Sequence, residues 1–133
     1  MTDCTWEKKT CVSFYCAGNF NTCSSITGVS FTEIRYTNIE GEAISWIYEA
    51  ERNDFKGLIM NPAGFLFAGY ALRECLKSVS LPYIEVHMTN IDRRGMHSIT
   101  ACEAKGMITG MGVESYLLAL SAMGQILEKK KSI

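Results

Sequence analysis

Apolar residues recur at helical spacing between Ala43 and Arg52, at Ile44, Ile47 and Tyr48, which predicts an amphipathic helix. The short run Gly57-Leu58-Ile59-Met60 predicts a buried strand that stops at the turn Asn61-Pro62-Ala63-Gly64. A second helix is expected with Ala68, Ala71, Leu72, Cys75, Leu76 and Val79 on one face, ended by Leu81-Pro82. Tyr83 to His87 predicts the next strand and Gly106 to Thr109 another. The helical period then returns from Gly112 to Glu128, with Val113, Tyr116, Leu117, Leu120, Met123 and Leu127 expected to face inward. Strands alternating with amphipathic helices predict an α/β fold of parallel βαβ units, its sheet covered by helices on both faces.

The first third is less regular. Cys11 to Cys16 reads as a strand ending at Ala17-Gly18-Asn19, and Val29 to Tyr36 as a second strand ending near Asn38. The stretch between them contains Gly28 and no helical pattern, whereas a parallel crossover needs about a dozen residues or more. Either a cramped crossover joins the two strands or the pair is locally antiparallel. With 133 residues and no internal repeat, residues 1–133 are expected to form a single domain.

Composition narrows the classes of function. A net charge of −1 argues against nucleic acid as a partner, because phosphate binding needs clustered positive charge. The one basic run, Lys129-Lys130-Lys131, is placed to end the last helix, where lysines favour the negative end of the helix dipole. No apolar run approaches a membrane span, and Met1 to Lys9 lacks the apolar core of a signal peptide, so no membrane partner and a cytoplasmic location are expected. Thiols stay reduced there. The six cysteines include no C-x-x-C pair, so neither a metal site nor any other cofactor is expected.

Ligands of open parallel sheets bind outside the carboxyl ends of the strands. The predicted strands end at Asn19, Asn38, Asn61 and the pair Glu85 and His87, which places these polar groups around one crevice. Glu85 and His87 are two residues apart and share a face of their strand. A carboxylate beside an imidazole orients it and favours its cationic form, chemistry suited to a general acid. The alternative is a buried structural carboxylate with an incidental histidine. Met88 to Ala104 shows no clear period and is expected to be a lid or binding loop. It carries Arg93, Arg94 and His97, which suit an anionic group such as a carboxylate.

From residue 38 to about 125 the chain resembles the type II 3-dehydroquinate dehydratases. The resemblance lies in Asn38-Ile39-Glu40-Gly41-Glu42, Ser45-Trp46-Ile47-Tyr48-Glu49-Ala50, Asn61-Pro62-Ala63-Gly64 and Ala71-Leu72-Arg73. It continues through Ile84-Glu85-Val86-His87-Met88-Thr89-Asn90-Ile91, Lys105-Gly106 and Tyr116-Leu117-Leu118-Ala119-Leu120. It implies a flavodoxin-like fold with a parallel sheet of about five strands and, here, a shortened first crossover. It also implies trimers, commonly packed into dodecamers, and a shikimate-pathway reaction on a small cyclic carboxylic acid. That family removes water from 3-dehydroquinate by anti elimination through an enolate. A tyrosine on a mobile loop, activated by an arginine, takes the proton, and a histidine protonates the departing hydroxyl.

Carried onto this chain, the acid is His87, oriented by Glu85, and Asn61 positions the substrate near the departing hydroxyl. Met88 and Thr89 meet the carboxylate through backbone N–H and hydroxyl. Asn19 holds the water on the enolate side. Arg94, with Arg93 as the competing register, stands for a family arginine. Phe67, preceded by Leu66, replaces a substrate-binding histidine and turns that wall apolar. The family's Tyr/Arg loop has no counterpart: Asn21 runs through Thr22 to Gly28 directly into the second strand, and none of the six tyrosines stands at the position of the base. Three readings follow: a dehydratase whose base comes from elsewhere, a diverged lyase or cyclase acting on a less polar substrate, and a catalytically silent homologue.

Overall fold

Gly57–Asn61 and Tyr83–His87 are buried at every position, the mark of central strands covered on both faces. A computed structural model describes residues 10–16 and 31–131 of the chain. These contain a five-stranded sheet of β1 (Thr10–Cys16), β2 (Phe31–Thr37), β3 (Gly57–Asn61), β4 (Tyr83–His87) and β5 (Gly106–Thr109), in the spatial order β2-β1-β3-β4-β5. β3, β4 and β5 pair in parallel. β1 is antiparallel to both of its neighbours, with Cys16 opposite Phe31 and Cys11 opposite Asn61. Of the two arrangements open for the first pair, the chain takes the antiparallel one, which needs no crossover helix.

Among the described residues four α-helices accompany the sheet: α1 (Glu40–Arg52), α2 (Phe65–Ala68), α3 (Tyr70–Ser78) and α4 (Glu114–Lys131). Strand alternation divides the core in two. Leu58, Met60 and Tyr83 meet Ala43, Ile47 and Ala50 of α1 and Leu72 and Leu76 of α3. Ile59, Ile84 and Val86 point the other way and meet Ala119 and Met123 of α4. Each such aliphatic side chain contributes roughly 1.5–3 kcal/mol by leaving water. Gly57 makes room for this packing, since a Cβ there would lie 2.5 Å from the sulfur of Met123.

Side-chain acceptors hold the segment before α1 and the first turn of α3. Thr37 Oγ1 accepts the N–H of Ile39 just before α1, and Glu40 and Glu42 place negative charge in the first turn. Glu40 Oε1 also accepts the N–H of Leu72 at 3.0 Å, so one carboxylate ties the start of α1 to the first turn of α3.

Two helical expectations are corrected. The second helix is split at Gly69, whose N–H donates to the carbonyl of Phe65, and a Cβ there would lie 2.6 Å from that oxygen. The break turns the chain, so Ala68 and Ala71 are exposed while Leu72, Cys75 and Leu76 stay buried. Val113, just before α4, and Leu117 on it face outward rather than inward, 60% and 58% exposed. β5 is the last strand of the described sheet, so the flank of α4 beyond it has no sheet to cover. Met111 and Leu118 are exposed as well, and Met107 of β5 is exposed on the opposite face of the sheet. Tyr116, Leu120 and Leu127 do pack against the core beside buried Met123.

Candidate active site

β3 and β4 run parallel and end side by side, which brings Asn61 and His87 to the mouth of one crevice of about 390 Å³. That volume suits a small molecule. Met88, Thr89, Arg94 and Phe67 line the same crevice, and Arg93 does not. Asn19 lies outside the described residues. β1, the strand that precedes it in the chain, ends at Cys16 next to the Gly57 end of β3, away from Asn61.

The turn after β3 explains the pose of Asn61. Its Oδ1 accepts the N–H of Ala63 at 3.0 Å, which closes an Asx turn ahead of α2. Its Nδ2 donates to the hydroxyl of Tyr116 on α4 at 3.1 Å. Both ends of the amide are therefore oriented, and a second amide hydrogen and a second lone pair stay available to a ligand. Ala63 sits at φ 48°, a left-handed conformation that an L-residue adopts at a cost of about 1–2 kcal/mol.

Glu85 and His87 project from β4 toward α1 and α3, and both are buried. His87 Nε2 lies 2.6 Å from Glu85 Oε2. The hydroxyl of Tyr83 donates to Glu85 Oε1 at 2.7 Å, and that of Thr100 donates to the same oxygen. Ser98 pairs with Thr100 at 3.1 Å. Burial alone pushes the Glu85 carboxyl up, but hydrogen bonds from His87, Thr100 and Tyr83, with the Ser98 hydroxyl close by, outweigh it and hold the group below the usual carboxylate range. Burial and the neighbouring Glu85 charge push the Tyr83 phenol well above its ordinary value, so it remains a donor. An ionised Glu85 only accepts, so Nε2 of His87 carries the hydrogen of their bond.

The segment from Met88 to Thr100 forms a strap over the crevice. Asn90 Oδ1 accepts the N–H groups of Asp92 and Arg93 at its bend, and Ile99 N–H donates to the carbonyl of Leu66 on α2. Arg94 Nη1 donates to Thr89 Oγ1 at 2.9 Å, which holds the guanidinium at the rim. Leu66, Phe67 and Met96 form the apolar part of the wall.

Sequence reasoning missed Tyr83, Ser98, Thr100 and the bond from Asn61 to Tyr116. Tyr83 was detectable, since it shares the two-residue period of Glu85 and His87. Ser98 and Thr100 carry no such sign. Among the described residues no group of three or more His, Cys, Asp or Glu is placed to hold a metal ion, and no helix is long and apolar enough to cross a membrane.

The fold is that of an α/β protein with a buried carboxylate–imidazole pair at the carboxyl ends of parallel strands. The family model described as dehydroquinase class II matches residues 19–124, and the chain belongs to that family. It is 37% identical over 97 residues to a 3-dehydroquinate dehydratase of Deinococcus radiodurans, covering 71% of this chain and 68% of that protein. Identity is 43% over 94 residues to a protein of the same name from Halalkalibacterium halodurans, covering 68% of this chain and 64% of that one. The crystal structure of the type II dehydroquinase from Propionibacterium acnes superposes with a TM-score of 0.62 at 32% identity, over 67% of each chain. The chain thus spans about two thirds of the length of these relatives.

Proposed function

We propose that the chain is a hydro-lyase that eliminates water from 3-dehydroquinate or a closely related cyclic hydroxy-keto acid, with His87 as the general acid. The observation that carries this reading is the pair His87 Nε2 and Glu85 Oε2, buried at 2.6 Å behind the crevice. With Nε2 bound to the carboxylate of Glu85, which orients the ring, Nδ1 delivers a proton to the departing hydroxyl, which leaves as water, while the proton lost from carbon passes to a base supplied from elsewhere, such as a neighbouring subunit. Asn61 orients the substrate beside that hydroxyl. Met88 and Thr89 receive the substrate carboxylate, and Arg94 adds positive charge at the rim.

The same reading makes residues 1–133 one domain that works in the cytoplasm and self-associates as a trimer or dodecamer. The exposed apolar side chains Met111, Val113, Leu117 and Leu118, at and just before the start of α4, support self-association, because exposed apolar surface marks protein contacts.

Conjugation in the product tests the activity. Purified protein given 3-dehydroquinate is expected to develop enone absorbance, and His87→Ala to reduce the rate at least about 100-fold. Absence of signal above buffer overturns the dehydratase reading. A second reading, a lyase or cyclase on a less polar substrate, is favoured by Phe67, which stands 62% exposed at the crevice with Leu66 and Met96. Thermal shifts with quinate-like and with apolar cyclic acids separate it from a silent homologue, which neither ligand stabilises.

A further inference from the structure

The oxygen of Glu85 that faces away from His87 is as closely held as the one that faces it. Oε1 accepts one hydrogen from Tyr83, 2.7 Å away on β4, and another from Thr100 at the inner end of the strap. Thr100 spends its one hydroxyl hydrogen on Glu85, so in its 3.1 Å contact with Ser98 the serine is the donor. The chain of hydroxyls is thereby polarised toward the carboxylate. Glu85, Tyr83, Ser98, Thr100 and His87 are all buried, so water does not substitute for a lost donor at low cost.

We infer that Thr100 and Tyr83 are positioning residues, whose hydroxyls hold Glu85 against His87 and so tie the aim of the acid to the seating of the strap. The inference rests on the reading of His87 as the general acid. It makes the strap more than a wall. Ser98 and Thr100 follow Met96 and Arg94 in the chain, and Ile99 between them is tied to Leu66, so the residues that line the crevice continue directly into those that set the carboxylate. Among the described residues, the titratable groups that contact Glu85 are Tyr83 and His87, both from β4, while the strap contributes neutral hydroxyls. Helices α1 and α3 pack apolar side chains against Tyr83, together with Cys75, whose thiol burial pushes up to about 11 and which stays neutral.

Thr100→Val and Tyr83→Phe each remove one hydroxyl with little change of shape, and Thr100→Ser retains it. Two readouts decide the matter: kcat/KM with 3-dehydroquinate, and the NMR titration of the Glu85 carboxyl carbon in the free protein. Glu85→Gln makes the assignment. The hydroxyl donors hold that carboxyl below the usual carboxylate range, so loss of one raises it. The Glu85 titration is therefore expected to move to higher pH, and kcat/KM to fall, in Thr100→Val and Tyr83→Phe, and both are expected to stay in place in Thr100→Ser. A merely structural role lowers kcat/KM or Tm without moving the titration. An unmoved carboxyl titration in folded variants overturns the inference, and if Thr100→Val does not fold, Tyr83→Phe alone decides it. If His87→Ala keeps full activity, the reading of His87 as the acid fails instead, and the carboxyl titration still tests the link from Thr100 to Glu85.

Discussion

Tyr116 of α4 and Asn61 of β3 are 55 residues apart in the chain and 3.1 Å apart in space, hydroxyl to amide nitrogen. The bond fixes which way the Asn61 amide faces across the crevice mouth, and it links the helix behind the sheet to the site. Tyr116→Phe is expected to cost about 1 kcal/mol of stability, the net value of one hydrogen bond, read from urea denaturation. It should also raise KM more than it lowers kcat, because Asn61 positions the substrate. Equal falls in kcat and kcat/KM would place Asn61 in the chemistry of the step.

Glu85 makes stability depend on acid pH. Its folded carboxyl lies below the usual range, so the stabilisation is fully present above the unfolded value of ~4.3 and is lost as pH falls through the lower folded value. Glu85→Gln should lose about 2 kcal/mol at neutral pH and show a flatter acid limb in denaturation curves taken from pH 7 down to 3. Parallel limbs in the two proteins would show that other carboxylates cause the acid transition.

Ala63 holds φ 48° at the crevice wall, where the Asx turn of Asn61 requires it. Ala63→Gly relieves that conformation by about 1–2 kcal/mol and gives back about 0.5–1 kcal/mol in chain entropy, so stability should stay level or rise slightly. Ala63→Val is expected to lose about 2 kcal/mol or more, since a β-branched residue is poorly tolerated there. Equal melting temperatures for Val and Gly variants would rule out the strained turn.

Glu40 joins the starts of α1 and α3 through the N–H of Leu72. Glu40→Ala should cost about 1 kcal/mol, as for a lost helix cap, and hydrogen exchange at the Leu72 amide should speed up. Glu40→Gln keeps an acceptor oxygen and should lose less. If exchange at Leu72 is unchanged in Glu40→Ala, the two helices are held together by packing alone.

Arg94 lines the crevice and Arg93 faces solvent. Arg94→Met is expected to raise KM for an anionic substrate about tenfold or more, as fits loss of a charge-assisted contact, while Arg93→Met changes it little. The reverse ranking would assign the other register of the strap.

The pattern of residues by itself determined β3, β4, β5 and α4, because buried strands and amphipathic helices write their periods directly into the chain. It also placed Glu85 beside His87, since a separation of two on a strand fixes the face whatever the surroundings. The direction of β1 was open to it, because strand pairing is a long-range choice that a local period does not encode. Gly69 broke a helix that looked continuous, and the edge position of β5 left Val113 and Leu117 outside although their spacing pointed inward. The partners of the site had the same cause. Thr100 reaches Glu85 across 15 residues and Tyr116 reaches Asn61 across 55, so only the folded chain shows that the carboxylate has two hydroxyl donors and the amide a fixed face.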